Sequence, residues 1–582
     1  MRKFLIAATN SGCGKTTVTI GLLRALQRKG LRVQPFKCGP DYIDTQYHRI
    51  AAGVESVNLD TWFAEPAHLR EVFHHYGQEA DVCVVEGVMG AYDGYDRWHG
   101  SSAEIAEILN IPMILIVNAK SMAYSVAPIL YGFKHYEENI RGEKIRGERI
   151  VLSASDQEQG IGSGKQEQSI GSSEQEQGIG SGKQEQGIGS SDQEQGTVAS
   201  DLAENYSLTS NNLTSNLLNT HTLSGVIFNN VGSERHARLL REACEDVGVA
   251  CFGMIPRLPN LTIPSRHLGL TLENQQMIET LVENAADAVS QYVDVEGIFR
   301  EEIIRGENIR GENIRGENIR GENIRGENIR GENIRGENIR GERIVLSGGE
   351  QEQGIGANNL AEDYSLTSNL LTSKILKSKL LTSNILSINI SIAHDEVFNF
   401  TYRENIDRLK ALGEVTLFSP LRDKRIPEGT ELLYLPGGYP EFFLKELSAN
   451  KEMRASVHDY IEKGGKTLAE CGGMMYLCKQ IIDPEGVTFP MCGILKQEAT
   501  LQDMHLHLGY REMMLNGQTW RGHEFHYSEV RGEGAGVRGH ENAKVCDATG
   551  HPTETPFYIY KNLRASYLHL YWGDHDILSL FE

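Results

Sequence analysis

The chain has 582 residues and a formal charge of −22, and 40% of its residues are hydrophobic. This length and composition predict two or three globular domains, and the negative charge excludes broad nucleic-acid binding, which needs a basic surface. The nine cysteines show no paired metal-ligand spacing, and no apolar stretch reaches the length of a signal peptide or a membrane span. We therefore expect a cytoplasmic protein that binds neither nucleic acid nor a membrane.

The first block of the chain, residues 1–136 and 223–300, alternates strand-like and helix-like patterns. This alternation predicts an α/β domain built on a doubly wound parallel sheet. The predicted strands are Phe4–Thr9, Val33–Phe36, Val82–Val85, Met113–Val117 and Gly225–Phe228, and the clearest predicted helix is Thr16–Arg28.

A phosphate-binding loop is predicted directly after the first strand. The nucleotide-binding candidates in it are Ser11, Gly12, Gly14, Lys15, Thr16 and Thr17. Glycines let the backbone approach an anion, a lysine contacts the β- and γ-phosphates, and a threonine hydroxyl at the start of a helix binds Mg²⁺. Thr9 occupies the position where the usual motif has its first glycine. The loop in this context still predicts nucleotide binding.

Two polar clusters follow later strands of the same block, at the sheet edge where α/β folds place their ligands. Glu86 ends the apolar run that begins at Val82, and we predict it as a second carboxylate for Mg²⁺ beside Thr16. The candidates for substrate binding or activation are Lys37, Asp41, Asp44 and Asp93. Each acid alone would more often cap a helix or face solvent, but together they favour metal and substrate handling.

Two segments, residues 137–222 and 301–387, do not have the pattern of a globular protein. From Ile304 to Arg343 a pentamer beginning Ile-Arg-Gly-Glu repeats, and related passages occur in both segments. In a helix, a period of five rotates each isoleucine by about 140° from the last, so no apolar face forms. We predict two surface insertions that are disordered and carry no chemistry.

The second block, residues 388–582, also has an α/β pattern, with one cysteine in a tight turn. Its predicted elements are the strands Ile390–Ala393, Glu414–Phe418 and Leu432–Leu435 and the helix Asn405–Leu412. Cys471 lies between a strand-like stretch and a helix-like one, flanked by small residues. Such a turn exposes the sulfur, and the positive end of the following helix favours the ionised thiol. Cys471 is therefore the predicted nucleophile, whereas Cys478 is expected to be structural.

Spacing in the sequence does not identify every partner of this thiol. Gly437 and Gly438 follow a predicted strand, and we expect their amides to face an oxyanion. A base is also needed, but the block contains ten histidines and spacing does not choose among them.

Five motifs resemble those of the cobyrinate a,c-diamide synthase family, glutamine-dependent amidoligases of cobalamin (corrinoid) biosynthesis. They occur in the family's order, at Lys37–Asp44, Glu86–Gly94, Pro264–Leu270, Phe398–Tyr402 and Ala565–His569. The resemblance covers nearly everything outside the two repeat segments. Departures are Ala8 and Thr9 in the phosphate loop, and His394, where the family more often has Arg.

The resemblance implies a ligase with a dethiobiotin-synthetase-like ATP domain followed by a class I glutamine amidotransferase domain that uses a Cys–His pair. It implies ATP and Mg²⁺ as cofactors. It also implies a corrinoid or related tetrapyrrole and glutamine as small-molecule partners, and it is compatible with a homodimer. By motif position, His569 matches the family's catalytic histidine. The run Arg521–Ser528 is also similar to the family, and we interpret it as structural or interfacial.

The chemistry of forming an amide from a carboxylate agrees with what the resemblance implies. A carboxylate does not react with ammonia directly because its oxygen is a poor leaving group, so ATP would first convert it to an acyl phosphate, with Lys15 stabilising the charge on the transferred group. Four alternatives remain: hydrogenobyrinate or nickel-sirohydrochlorin as the tetrapyrrole, a cobyric acid synthase, and a partition-type ATPase. The last leaves Cys471 and His569 without a role.

Overall fold

The computed structural model describes residues 1–136, 223–261, 275–299, 387–532, 543–573 and 575–582. The chain divides into two compact units, one formed by Met1–Ala127 and His221–Glu582 and the other by Pro128–Thr220. Every labelled element below belongs to the first unit; in the second, residues 128–136 are helical. The predicted insertions, apart from Ser387, and the motif Pro264–Leu270 lie outside the described residues.

The first block forms a seven-stranded parallel sheet with the order β3-β2-β4-β1-β5-β6-β7. The strands are β1 (Arg2–Ala8), β2 (Val33–Cys38), β3 (Val57–Leu59), β4 (Val82–Glu86), β5 (Met113–Asn118), β6 (Leu223–Val231) and β7 (Ala250–Pro256). The central strands are continuous apolar runs because both faces of the sheet are buried. All five predicted strands are confirmed, and β3 and β7 are additional.

Helices connect these strands and supply the rest of the core. They are α1 (Lys15–Arg28), α2 (Ile43–Ala52), α3 (Pro66–Gly77), α4 (Ser102–Leu109), α5 (Glu234–Val247) and α6 (Gln275–Tyr292). Leu22 and Leu26 of α1 pack into the same core cluster as Val282 and Val289 of α6. The strand order reverses around β1, so the loop between β1 and α1 lies at a topological switch point, where α/β sheets bind ligands.

The second block contains a six-stranded sheet with the order β10-β8-β11-β13-β22-β21, parallel except for β21. Its strands are β8 (Ile388–Ala393), β10 (Gly413–Phe418), β11 (Leu432–Leu435), β13 (Lys466–Glu470), β21 (Phe557–Tyr560) and β22 (Leu563–Ser566). Its helices are α7 (Arg403–Leu412), α8 (Leu444–Ala449), α9 (Lys451–Glu462) and α10 (Gly472–Leu477). The predicted strands and helix of this block are confirmed.

Three smaller sheets in this block were not predicted. Gly437–Gly438 (β12) pairs with Phe398–Phe400 (β9). A second sheet combines β14 (Gln480–Ile482), β15 (Thr488–Pro490), β16 (Glu498–Thr500) and β19 (Glu529–Arg531). The third has the order β20-β17-β18-β23, formed by Lys544–Asp547, His507–Leu515, Gln518–His526 and Leu568–Tyr571. This third sheet places His569 in β23 opposite His523 in β18.

The helices of the described ranges include none with both the length and the apolar character that crossing a bilayer requires.

Candidate active sites

The phosphate loop runs from the end of β1 to the start of α1, as predicted. Gly12 and Gly14 have φ values of 79° and 97°, a conformation that glycine adopts without strain. A Cβ atom on Gly14 would lie 2.3 Å from Nδ2 of Asn229, so this position also requires the absence of a side chain. Lys15 is buried and donates a hydrogen bond to the carbonyl oxygen of Met89. The loop has the close-approach geometry that an anion-binding turn needs.

Glu86 is the centre of a buried charged cluster beside this loop. Its Oε1 accepts a hydrogen bond from Thr16 Oγ1 at 2.7 Å and lies 3.3 Å from Lys37 Nζ, and its Oε2 lies 2.6 Å from His48 Nε2. Burial alone would raise the pKa of Glu86, but Lys37 and the hydrogen bonds from His48 and Thr16 lower it. The carboxyl group is therefore ionised at neutral pH.

Lys37 holds a second carboxylate in the same cluster. Its Nζ lies 2.9 Å from Oδ2 of Asp44, and both side chains are almost fully buried. Burial opposes the charge on Lys37, but Asp44 and Glu86 raise its pKa. Burial, together with the neighbouring Lys37, lowers the pKa of Lys15. The structure thus brings together Lys15, Thr16, Lys37, Asp44 and Glu86.

Asp41 and Asp93, the other two acids predicted for substrate binding or activation, lie in turns. Asp41 Oδ1 accepts hydrogen bonds from the backbone amides of Ile43 and Asp44, where it caps the start of α2. Asp93 Oδ2 accepts from the amide of Gly90. These are the turn and cap contacts that each acid would make with no chemical role, so their participation in chemistry stays a prediction.

A cavity of 460 Å³ opens beside the phosphate loop. Gly12, Gly14 and Thr17 line one side, and Asn229, Asn230 and Arg257 are among the residues of the other. Its position beside the phosphate loop suits the nucleoside part of a nucleotide.

Mg²⁺ needs oxygen ligands and usually takes only one or two carboxylates from the protein, with phosphates and water completing its shell. Within the described ranges, no group of three or more His, Cys, Asp and Glu side chains is arranged to hold a metal ion. Thr16 Oγ1 and Glu86 Oε1 provide two adjacent oxygens next to the phosphate loop. This pair fits a nucleotide-borne Mg²⁺ and would not suffice for a metal held by protein side chains alone.

Cys471 occupies the sharp turn between β13 and α10. Its backbone has φ 45° and ψ −106°, a conformation that a residue with a side chain rarely adopts. Small neighbours permit the turn: a Cβ atom on Gly473 would lie 2.1 Å from the carbonyl oxygen of Leu435. The predicted turn is confirmed, and its strained backbone is typical of functional sites.

The predicted ionisation of this thiol is wrong for the structure described here. Burial, followed by the nearby carboxyl of Glu441, raises the pKa of Cys471 above its ordinary value. The helix that follows, α10, has only six residues, and its positive end does not outweigh the loss of solvent. Cys471 is therefore a neutral thiol that needs a base. Cys478 is fully buried at the end of α10, as expected of a structural cysteine.

His569 is fully buried on β23, and neither ring nitrogen has a hydrogen-bond partner among the described residues. Its ring stacks on His523, with centroids 5.0 Å apart and planes 18° apart. Burial, with His523 the next cause, lowers the pKa of His569 well below its usual value. The imidazole is neutral and can accept a proton. It is not hydrogen-bonded to Cys471, a separation common in sites without substrate.

Glu470 connects the strand of Cys471 to the strand of His569. Its Oε1 accepts a hydrogen bond from the amide of Leu570 at 3.0 Å, and its Oε2 accepts from the hydroxyl of Tyr434 at 2.7 Å. Because Glu470 precedes Cys471 and Leu570 follows His569, this bond fixes the separation of the two candidate catalytic residues.

Gly437 and Gly438, the predicted oxyanion residues, lie close to both His569 and the Cys471 turn. A Cβ atom on Gly437 would lie 2.1 Å from Cε1 of His569, and one on Gly472 would lie 3.1 Å from the amide nitrogen of Gly438. The turn therefore brings the backbone of the Gly-Gly pair against both His569 and the residue after Cys471. Its amides are close enough to the site to serve an oxyanion.

Two domain families match the chain in the order of its two sheets. Residues 4–270 match the CobQ/CobB/MinD/ParA nucleotide binding domain, and residues 389–577 match the CobB/CobQ-like glutamine amidotransferase domain. A cobyrinate a,c-diamide synthase from Caldanaerobacter subterraneus is 29% identical, over 98% of this chain and 95% of its own length. Over nearly its whole length, the chain is similar to the a,c-diamide synthases.

Other relatives differ in the name of their substrate. A hydrogenobyrinate a,c-diamide synthase from Brucella suis is 28% identical over 91% of this chain and 90% of its own length. Another, from Streptomyces coelicolor, is 29% identical over 98% of this chain and 94% of its own length. These relatives and the amidotransferase domain show that the protein is a ligase of the glutamine amidotransferase type.

Several residues around the two candidate sites were missed by sequence reasoning. His48 contacts Glu86 from α2, and Asn229 and Asn230 line the cavity beside the phosphate loop. The two asparagines lie at the end of the apolar run of β6, a polar strand end that could have identified them. His48 lies inside a helix with no distinguishing neighbour, so only the structure reveals its role.

Proposed function

We propose that the protein uses ATP and glutamine to convert two side-chain carboxylates of a corrinoid-type tetrapyrrole, cobyrinate or its metal-free counterpart, into amides. The observation that carries this proposal is the presence on one chain of a phosphate-binding loop with a buried acid cluster and of a thiol–histidine site. The first is suited to activating a carboxylate, and the second to releasing ammonia. Neither site alone would account for the other.

On the activation side, the substrate carboxylate attacks the γ-phosphorus of ATP, and ADP leaves. Lys15 stabilises negative charge on the transferred phosphoryl group, and amides of the phosphate loop bind the remaining phosphates. Ammonia then attacks the acyl carbon, and phosphate is released as the amide forms. Each amide therefore consumes one ATP and one ammonia.

Mg²⁺ bound with the nucleotide would be held by Thr16 and Glu86 and would supply charge neutralisation at the phosphates. Lys37 and His48 keep Glu86 ionised, so its carboxylate is available as an oxygen ligand.

On the ammonia side, His569 accepts the proton of Cys471 as the sulfur attacks the amide carbon of glutamine. Amides of Gly437 and Gly438 stabilise the oxyanion, and His569 returns the proton to the departing ammonia. Water then hydrolyses the thioester to glutamate, with His569 again as the base. The neutral states of both side chains support this sequence, because a protonated imidazole could not act as the first base.

The test is to incubate the purified protein with ATP, Mg²⁺ and glutamine and with cobyrinate or hydrogenobyrinate in separate reactions. We expect two successive mass changes of the size of an acid-to-amide conversion on one of them. Nickel-sirohydrochlorin serves as a third candidate substrate. ATP hydrolysis without amide formation on any of the three would contradict the proposal.

A further inference from the structure

One side chain of the nucleotide-binding block is buried inside the glutaminase site. Tyr42, which precedes α2, is 6% exposed. Its ring stacks on Phe400 with centroids 5.1 Å apart and planes 15° apart, and it lies 4.8 Å from Tyr402. It also lies 5.3 Å from His569 and 5.4 Å from His523. A residue of the nucleotide-binding block thus forms part of the packing around His569.

We propose that Tyr42 is a positioning residue of the glutaminase reaction, which holds the ring of His569 in place from the nucleotide-binding block. The inference rests on the proposed function, because it assigns a role within the ammonia-releasing site. Tyr42 itself exchanges no proton with substrate.

The need for such a residue follows from the surroundings of His569. Catalytic histidines are commonly oriented by a hydrogen bond to the ring nitrogen that does not face the reaction. Neither nitrogen of His569 has such a partner in the described residues. Packing must therefore set its orientation: His523 covers one side of the ring at 5.0 Å, Gly437 leaves no room beyond Cε1, and Tyr42 and Phe400 are the other aromatic neighbours. Removing Tyr42 takes away the contact contributed by the other block.

The backbone of Tyr42 also joins this contact to the acid cluster. Asp41 Oδ1 binds the amides of Ile43 and Asp44, at 2.8 and 2.9 Å, on the other side of Tyr42. Asp44 in turn forms the buried ion pair with Lys37. Tyr42 therefore lies in the turn that precedes α2, and the first turn of α2 carries Asp44 of the acid cluster. A displacement of this turn on substrate binding would move the ring that contacts His569.

The experiment compares Tyr42→Ala and Tyr42→Phe with the wild-type enzyme, using ATP, Mg²⁺ and the accepted tetrapyrrole. Phenylalanine keeps the ring and loses only the hydroxyl. We expect Tyr42→Ala to lower kcat for glutamine-dependent synthesis by roughly tenfold to a hundredfold, because a misplaced catalytic group costs about that much. KM for glutamine and synthesis from ammonium chloride should change by much less. Tyr42→Phe should stay within about threefold of wild type, because the stacking contacts remain.

A second measurement reports on the position of His569 through the reactivity of the Cys471 thiol. The rate at which iodoacetamide labels Cys471, measured by mass spectrometry of its peptide across pH 6 to 9, reports how readily the thiol loses its proton. We expect the variant without the ring, Tyr42→Ala, to label more slowly and with a shifted pH profile. Unfolded protein would instead label faster than the wild type, because unfolding exposes Cys471 and removes the burial that raises its pKa.

Phe63 provides the matched control. It is another aromatic side chain of the first block, and its ring packs on Tyr402, Tyr510, His523 and Tyr571, with no ring contact to His569 in the described part of the chain. Phe63→Ala should therefore leave the Cys471 labelling profile near wild type.

Three results would overturn the inference in an active wild-type enzyme: equal losses with glutamine and ammonium, equal losses in Tyr42→Phe and Tyr42→Ala, or equal effects of Phe63→Ala and Tyr42→Ala. If the wild type makes no amide from any tetrapyrrole yet Tyr42→Ala still shifts Cys471 labelling, the proposed function fails and the positioning role stands. If the wild type is active and Tyr42→Ala matches it, the positioning role alone fails.

Discussion

The two sites bury ionisable groups to a similar depth, but the groups are charged at one site and neutral at the other. At the phosphate loop, Lys37 and Glu86 are buried together with Asp44, and mutual attraction keeps Lys37 and Glu86 ionised. At the proposed glutaminase site, Glu470 and His569 are also buried, and there burial is the largest effect: it raises the pKa of Glu470 to about 8 and lowers that of His569. Partners, rather than depth, decide the charge.

This difference suits the two chemistries. Phosphoryl transfer needs fixed charges beside the reacting phosphate, whereas a thiol–histidine pair needs a base that starts without its proton. The following changes test the contrast, in order of decreasing expected effect.

The largest effect is expected from Cys471→Ala, which removes the proposed nucleophile. Glutamine-dependent synthesis should fall by at least about 10⁴-fold, while synthesis from high ammonium stays near wild type because the thiol serves only to release ammonia. Product formation from the two nitrogen sources, measured side by side, checks this. His569→Ala should behave in the same way.

Cys478→Ala is the matched control, since Cys478 is a buried cysteine at the other end of α10. It should retain synthesis from both nitrogen sources. Equal loss of the ammonium reaction in Cys471→Ala would contradict the separation of the two sites.

Lys15→Ala should lower synthesis from both nitrogen sources by about 10²- to 10³-fold, because it removes charge stabilisation before ammonia arrives. Steady-state assays with glutamine and with ammonium measure this. Lys29→Ala, an exposed lysine just after α1, is the control and should be near wild type. Near-normal ammonium-dependent activity in Lys15→Ala would show that the phosphate-loop assignment is wrong.

Glu86→Gln tests whether the charged cluster is held by mutual attraction. Gln leaves Lys37 with Asp44 as its one remaining carboxylate in the cluster, and the loss of a buried partner should lower the free energy of unfolding by about 3 kcal/mol. Urea denaturation at pH 7 measures the change. Because the pKa of Glu86 is lowered in the folded state, its contribution is present above the unfolded pKa of 4.5 and is lost as pH falls below it. A loss of stability that did not shrink on acidification would contradict this account.

Glu470→Gln tests the site where the buried acid is neutral, and there stability should depend on pH in the opposite direction to that at Glu86. The folded pKa of about 8 lies above the ordinary value of 4.5, so the folded protein binds the extra proton between these values and wild-type stability declines as pH rises through that window. Gln does not titrate, so its stability relative to wild type should improve from pH 5 to pH 8 and then level off. Glu485→Gln, at an exposed position, should show no such trend. Thermal unfolding at several pH values checks both.

The smallest effects are expected from deleting residues of the repeat segments. Removal of Ile304–Arg343, or separately of Gly160–Gly196, should leave melting temperature and both activities nearly unchanged, since shortening a loop alters closure entropy by about 1 kcal/mol. The sequence basis is the period of five, which presents no continuous apolar face. A deletion that unfolds the protein or silences one site would show that the repeats pack.

The parts of each site that could be predicted from sequence are local in the chain. The phosphate loop and the Cys471 turn are short runs whose glycines and flanking strands identify them, and the Thr16–Glu86 pairing followed from the rule that ligands collect at parallel strand ends. The protonation of Cys471 could not be predicted, because it depends on burial and on Glu441, thirty residues away in the chain. The contact of Tyr42 with His569 joins residues over five hundred positions apart. The antiparallel sheet that carries His569 was missed for the same reason.

The backbone conformation of Cys471 lowers the stability of the folded protein, whether or not a substrate is bound. A residue with a side chain at φ 45° and ψ −106° is disfavoured by about 1–3 kcal/mol, whereas glycine occupies this region freely. Replacing the nucleophile with glycine should therefore yield a protein at least as stable as the natural one, although it has lost its glutaminase. Under the proposed mechanism, drift toward stability at this position would lead away from activity, and selection for ammonia release would keep a cysteine there.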